Sequence, residues 1–308
     1  MQIVTDRGVD LAPKQTAGLK LHFVPLRIEL EGKTYLSGVD IMPQEFYSRL
    51  EETGAYPLTS QPSPADFADL YRELAKTDPE ILSIHMSSGL SGTMHSALQA
   101  AELVPEAKIT YWDTMTLSVP AGWQVEAAAR TLQAGWPIKD VLAYLEELRA
   151  KIEGIYTLAE LKYLVHGGRI SHLKGMMAAL LNIKPIIMVN KETGKYQDVG
   201  KERTLKRAIQ SMAAIIAKQF NPFGKTRIQL LHGYNPEGLE LLKEAISEKA
   251  DCVFEPVSEI APVLGAHTGP SMVGLSAGPL SLFEPLYSEL SGNAPLTVEK
   301  ADAFAMDA

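Results

Sequence analysis

The run Ser87-Ser88-Gly89-Leu90-Ser91-Gly92-Thr93 packs three serines, a threonine and two glycines into seven residues. It follows an apolar segment, Glu80 to Met86, that reads as a buried strand. It precedes Ser96 to Leu103, which reads as a helix. A hydroxyl-rich turn that opens a helix aims O–H and free N–H donors at one spot, where the positive end of the helix dipole also lies. Such a spot can hold an anion, either phosphate or carboxylate. Taken alone, the run is equally a tight turn between a strand and a helix.

Other clusters carry possible chemistry. In Thr59-Ser60-Gln61-Pro62-Ser63 the last serine is expected to cap a helix beginning at Pro64, which leaves Thr59 and Ser60 without that duty. Gly167-Gly168-Arg169 reads first as a helix C-cap, but paired glycines also let the backbone present a guanidinium. Arg203 opens a helix, where a cation opposes the dipole; this hints at an outside partner, although a plain surface residue fits too. His267, in Gly265-Ala266-His267-Thr268-Gly269-Pro270, is expected in a loop. An imidazole among glycines can approach a ligand closely in either charge state, or simply hydrogen-bond its surroundings. Asp6, at the end of the first strand, is a possible catalytic carboxylate or a cap for the next turn. His85 and His95 fit no zinc spacing. Walker A, G-x-G-x-x-G and H-E-x-x-H sequences are absent, and Gly89 to Thr93 misses the hydrolase elbow by one residue.

Positioning these residues falls to alternating strands and helices. Strands are expected at Gln2–Thr5, Ile81–Met86 and Lys108–Trp112, with helices at Pro43–Glu52, Pro64–Lys76 and Ser91–Leu103 between them. This rhythm predicts a mostly parallel sheet with flanking helices, whose loops gather at one edge. Leu21–Leu36 reads as a hairpin turning at Glu31-Gly32-Lys33. After helices at Thr116–Gln133 and Lys139–Ile152, a second α/β stretch follows. It runs through strand Lys184–Asn190, a returning Tyr196–Gly200, helix Leu205–Gln219, strand Arg227–His232, helix Pro236–Glu248 and strand Cys252–Val257. Two lobes are expected, 1–155 and 156–290, with a disordered tail at 291–308.

Composition sets the limits. The 308 residues are 46% hydrophobic and 21% charged, as in an ordinary globular protein, and the net charge of −8 argues against nonspecific nucleic-acid binding. One cysteine, Cys252, excludes an intrachain disulfide and a Cys-based zinc site, and it is expected to be a buried strand residue. The start Met-Gln-Ile-Val-Thr-Asp does not read as a basic-then-apolar secretory signal, so none is expected, and no apolar run reaches membrane-spanning length. A cytoplasmic, soluble protein without membrane insertion is expected.

In order, these motifs resemble the DegV family. The matching pieces are Thr-Asp…Asp-Leu (5–11), Thr-Ser-Gln-Pro-Ser (59–63), Ser-Ser-Gly-Leu-Ser-Gly-Thr (87–93) and Asp-Thr (113–114). They continue with Leu-Lys-Tyr-Leu…Gly-Gly-Arg-Ile-Ser (161–171), Ile-Lys-Pro-Ile (183–186), Arg-Thr (203–204) and His-Thr-Gly-Pro (267–270). Arg7 and Ser271 depart from the family pattern, which usually has serine and glycine there. The resemblance implies two α/β lobes with a long-chain (C14–C18) fatty acid between them and no cofactor or metal. It implies no turnover by this chain itself. A separate ATP-dependent fatty acid kinase, related to dihydroxyacetone kinase, would phosphorylate the carboxylate to an acyl phosphate that feeds phospholipid synthesis. Carried over, Thr59, Ser60, Ser91, Gly92, His267 and Thr268 would surround the carboxylate, Arg169 would lie near it, and Arg203 would be a kinase contact.

The residues agree with that implication. A carboxylate needs short hydrogen bonds from hydroxyls and helix N–H groups. A 16-carbon chain at about 0.8 kcal/mol per CH₂ carries on the order of 10 kcal/mol, so the tail supplies affinity and the head group orients. In His172–Leu181, Met176, Met177 and Leu180 are candidate tunnel-wall residues, although a plain core helix fits the segment as well. Two other readings use the same residues. One is a serine hydrolase or acyl transferase with Ser91 as nucleophile, His267 as base and Asp6 or Asp113 as orienting acid. The other is a binder of a small phosphorylated sugar or dihydroxyacetone.

Overall fold

The computed structural model describes residues 1–171, 173 and 183–288. The chain runs β1 (Gln2–Asp6), α1 (Pro13–Thr16), β2 (Leu21–Val24), β3 (Arg27–Leu30), β4 (Lys33–Leu36), α2 (Pro43–Thr53), β5 (Leu58–Ser60) and α3 (Pro64–Ala75). Next come β6 (Glu80–His85), α4 (Thr93–Ala101), β7 (Lys108–Asp113), α5 (Ser118–Gln133), α6 (Ile138–Lys151), β8 (Glu153–Thr157) and α7 (Lys162–His166). The rest is β9 (Lys184–Val189), β10 (Tyr196–Glu202), α8 (Leu205–Phe220), β11 (Thr226–His232), α9 (Pro236–Ser247), β12 (Cys252–Glu259), α10 (Pro262–Thr268), β13 (Val273–Pro279) and α11 (Glu284–Ser288).

Two sheets lie in a layered stack. The first, β2-β1-β6-β7, is wholly parallel, and the second, β10-β9-β8-β13-β11-β12, is mixed, with β11–β12 as its parallel pair. Strand alternation sorts side chains between layers. In β6, Ile81 packs with α3 and α4, while Leu82 and Ile84 join the core between the sheets. In β9, Ile186 and Met188 pack with α8 and α9, while Ile187 and Val189 join that same central core. The boundary expected near residue 155 falls within β8, which pairs with β9 and β13 in the second sheet.

Between the sheets runs α5, buried at every position from Ser118 to Ala129. A helix buried all round must satisfy its polar groups internally. Gln124 accepts from Trp112 Nε1 at 2.7 Å, and Glu126 meets Arg130 and the buried Arg227 of β11, each at 3.0 Å. Arg227 also meets Glu255 at 2.8 Å, and Trp123 donates to Gln229 at 2.6 Å.

Ser63 caps α3 as expected, accepting from Asp66 N at 3.2 Å. Three elements differ from expectation. Leu21–Val24 is not one arm of a hairpin but pairs parallel to β1; the hairpin is β3–β4 alone, because Pro25 interrupts the chain between the two. β3 also pairs with β5, so Thr59 and Ser60 sit on an edge strand instead of a loop. His267 lies in helix α10, not in a loop. Cys252 starts the edge strand β12 and is half-buried. The expected tail at 291–308 lies outside the described residues.

Candidate functional site

In the parallel sheet the chain passes from β1 to β2 on one side, while β6 lies on the other. Loops leaving neighbouring strands in opposite senses open a crevice at their carboxyl ends. Asp6 braces that crevice from below. It accepts from Gly8 N at 2.8 Å, from Met86 N at 3.0 Å and meets His85 Nδ1 at 3.0 Å. His85 Nε2 continues to Ser83 Oγ at 2.6 Å and on to Tyr71 OH at 2.7 Å. This is a Ser–His–Asp chain, but all four side chains are fully buried. Its work is to hold the ends of β1 and β6, so Asp6 tethers two loops and is no catalytic acid.

Above it, α4 begins at Thr93 with Gly92 as N-cap, two residues later than the sequence suggests. Ser91 Oγ pairs with Thr93 Oγ1 at 2.8 Å and accepts from Thr93 N at 3.3 Å. Gln61 reaches across from the strand β5 side to donate to Ser96 Oγ at 3.0 Å. Opposite, Thr59 Oγ1 of β5 meets His267 Nε2 of α10 at 2.9 Å. The backbone of Gly167 abuts the imidazole so closely that a Cβ there would lie 2.0 Å from Nδ1. Only glycine fits, which explains one half of the Gly-Gly-Arg sequence. Arg169 then donates from Nη1 to the Gly167 carbonyl at 2.7 Å.

Burial, helped by Arg169 and His166, pushes His267 down to about 3, so the imidazole is neutral. Its buried Nδ1 has no hydrogen-bond partner. A proton on Nδ1 would therefore be stranded, and the hydrogen-bond pattern assigns it to Nε2. Nε2–H then donates to Thr59, and the Thr59 hydroxyl keeps its own proton to offer a ligand oxygen.

These groups face one cavity of about 320 Å³. Its polar lining is Thr59, Ser60, Gln61, Ser91, Tyr196, His267 and Arg169, and Arg169 is the charged member of the set. Leu117, Tyr196 and Leu264 also line a second, narrow chamber of about 20 Å³, whose other walls include Tyr156, Leu158, Leu164, Ile187, Ile260 and Met272. Two hydroxyls of that chamber are turned aside, Ser118 onto Asp10 at 2.6 Å and Thr268 onto the Leu264 carbonyl at 3.4 Å, while the buried Tyr156 hydroxyl has no hydrogen-bond partner. Burial pushes the Tyr196 phenol up to about 12, so it is neutral too. A polar, cationic mouth thus meets an apolar interior at a neck of three side chains.

The structure brings Thr59, Ser60, Ser91, His267 and Arg169 together at this mouth, with Gly92 directly after Ser91 as the N-cap of α4. Thr268 lines the inner chamber instead, because its place one residue on from His267 turns it to another helix face. Arg203 is exposed, just ahead of the α8 N-cap Thr204, and is not part of the lining. Met176, Met177 and Leu180 lie outside the described residues. The pairing that a hydrolase needs is not formed. His267 meets Thr59, Ser91 meets Thr93, and Asp113 accepts from the backbone of Ser88 and Met115.

The family model described as "Uncharacterised protein, DegV family" matches residues 1–279. The chain belongs to the DegV family. A DegV domain-containing protein of Staphylococcus aureus is 33% identical over 273 residues, which is 89% of this chain and 96% of the relative. A DegV family protein from Thermus thermophilus, solved as a fatty acid binder, is 32% identical. It superposes with a TM-score of 0.82 over 91% of this chain and 99% of its own. The fold is shared as well by the Streptococcus pneumoniae fatty acid kinase B3 protein loaded with linoleic acid, at TM-score 0.74 and 21% identity, over 90% and 99% of the two chains. Among the described residues no helix is long and apolar enough to cross a membrane, and no acidic, histidine or cysteine cluster could hold a metal.

Sequence reasoning about the DegV motifs missed Gln61, Tyr196, Leu117 and Leu264. Gln61 stands inside a motif that was noted for its hydroxyls. The other three come from a hairpin, a helix start and α10, and no local pattern links them.

Proposed function

We propose that this chain binds a long-chain fatty acid, with the carboxylate at the mouth and the acyl chain in the chamber behind Leu117, Tyr196 and Leu264. One observation carries the reading: hydroxyls and a single arginine converge on a mouth that opens inward onto carbon alone. Thr59 and Ser91 would donate to the carboxylate, and Arg169 would balance its charge. The chamber's 20 Å³ is about the room of a single water. An acyl chain would enter by displacing lining side chains, and the affinity from burying its methylenes would offset that rearrangement. The fatty acid bound by the Thermus relative supports the choice of ligand.

In the finer form of the proposal the chain has no turnover of its own and works in the cytoplasm. It presents a C14–C18 acid to a separate ATP-dependent kinase of the dihydroxyacetone-kinase type, which forms the acyl phosphate. Exposed Ser60 and half-exposed Arg169 leave the carboxylate end reachable. Arg203 is the candidate docking residue on the outside.

The test is mass spectrometry of an organic extract from natively purified protein, which is expected to show one equivalent of a C14–C18 acid. Ser91→Ala and Thr59→Val are each expected to weaken binding roughly 10- to 100-fold, the worth of one hydrogen bond to a charged acceptor. Neither should alter ester turnover, which stays at background. An empty protein that also refuses added palmitic acid would sink the reading.

A further inference from the structure

The hairpin β9–β10 does more than extend the second sheet. Its tip, Asn190 to Lys195, closes with Gly194 N bonded to the Asn190 carbonyl at 2.8 Å and Gly194 in the left-handed region at φ +64°. That tip rests on the turn that precedes α4, in the other sheet's territory. Ser87 Oγ, fully buried, donates to the Gly194 carbonyl at 2.8 Å and accepts from Gly89 N at 3.1 Å. The approach leaves no room for a methyl group on either side. A Cβ on Gly194 would lie 2.0 Å from Ser87 Oγ, and one on Gly89 would lie 2.4 Å from the Thr193 carbonyl. Two residues beyond this contact stands Tyr196, paired with Val189 where the hairpin closes.

Tyr196 is the largest of the three side chains that border both the mouth and the apolar chamber. Leu117 comes from the start of α5 and Leu264 from α10, both packed in the core. Tyr196 packs against that core too, and the tip of its hairpin is seated by Ser87, the fully buried contact, and by Lys191, whose Nζ reaches the Ala150 carbonyl at 2.8 Å and Glu153 at 2.5 Å.

We propose that Tyr196 is the gate between the carboxylate mouth and the acyl chamber, and that Ser87 is the positioning residue that latches it shut. The proposal rests on the fatty-acid reading and adds to it a residue that sets how fast the acyl chain passes. Because Ser87 belongs to the same turn as Ser91, carboxylate binding and the seating of the gate share one piece of backbone.

Release of radiolabelled palmitic acid from preloaded protein to excess albumin tests it. Tyr196→Ala is expected to speed release about tenfold, Tyr196→Trp to slow it, and Tyr196→Phe to leave it near wild type, since ring bulk is what blocks the neck. Ser87→Ala, which touches no ligand, should speed release in the same direction. The double variant should release no faster than Tyr196→Ala alone, because both act through one ring. Should Tyr196→Ala fail to fold by circular dichroism, Tyr196→Leu takes its place in the same cycle. Loaded Tyr196→Ala and Tyr196→Trp proteins that both release at the wild-type rate, or additive effects of the two sites, would overturn the gate while leaving the fatty-acid reading intact. A wild-type protein that takes up no palmitic acid would overturn both.

Discussion

Arg227→Ala is expected to lower the unfolding free energy by about 3–5 kcal/mol, the usual cost of removing one partner from a buried ion pair. Arg227 is 1% exposed and Glu126 4% exposed, so no solvent stands ready to take over. The guanidinium meets Glu126 at 3.0 Å and Glu255 at 2.8 Å, and it also lies 4.6 Å from the ring centre of Trp123 and 4.4 Å from that of Phe283. Without it, Glu126 keeps Arg130 and loses its deeper partner. Arg227→Met restores the packing on the two rings and still deprives Glu126 and Glu255 of the guanidinium they share. Adding Glu126→Gln to it should therefore recover much of the loss, because a pair removed whole costs far less than one broken. Urea denaturation at neutral pH measures all three. An alanine variant within about 1 kcal/mol of wild type would contradict this account.

The second large effect concerns Asp10, where a substitution should stabilise. Its carboxylate accepts from Ser118 Oγ at 2.6 Å and from Ala261 N at 3.0 Å. Burial nonetheless pushes it from 3.8 up to about 6, against the pull of those two bonds and with a small push from Asp6. A raised carboxylate favours its protonated form in the folded state. Its contribution is fully present below pH 3.8 and lost as pH rises through 6, amounting to about 3 kcal/mol by pH 7. Asp10→Asn stays neutral and keeps both partners, since its oxygen can accept from Ala261 and its amide can donate to Ser118. Unfolding at pH 7 should therefore cost up to about 3 kcal/mol more than in wild type, with no gain at pH 4. His267 slopes the other way. Its depressed value gives stability that is present above pH 6.5 and falls away with acid, by about 2 kcal/mol at pH 5. In wild type the two slopes partly cancel between pH 7 and 5; in Asp10→Asn only the acid loss remains, so its curve falls more steeply. Denaturation from pH 4 to 8 decides the matter, and parallel curves for the two proteins would rule it out.

What was readable in the chain was local or borrowed. Ser63, Pro64 and Asp66 announce the start of α3 because capping is settled within four residues. The alternation of short apolar runs with helical patterns announces the parallel sheet. That Thr59 and Ser91 could meet is legible from the way loops gather at one edge of a parallel sheet, whereas the place of His267 beside them is legible through family resemblance alone, since nothing near it in the chain encodes it. α10 was missed although Pro262 at its first position and Gly269 just past its end are the ordinary marks of a short helix. The neck of Leu117, Tyr196 and Leu264 and the Arg227 network were beyond reach, because each joins residues far apart in the chain, and long-range packing of that kind leaves no periodic trace.

The burial of α5 on all sides has a kinetic corollary. From Ser118 to Ala129 every backbone amide N–H, Pro120 having none, lies between two sheets, and no partial opening of one lobe can wet it. In hydrogen–deuterium exchange these amides should be the last to acquire label, at the rate of global unfolding, while the edge strand β10, with its partly exposed residues, exchanges through smaller, local excursions. Breathing of the whole molecule and loading of its cavity would then run on separate clocks, and a ligand could come and go many times within one lifetime of the core.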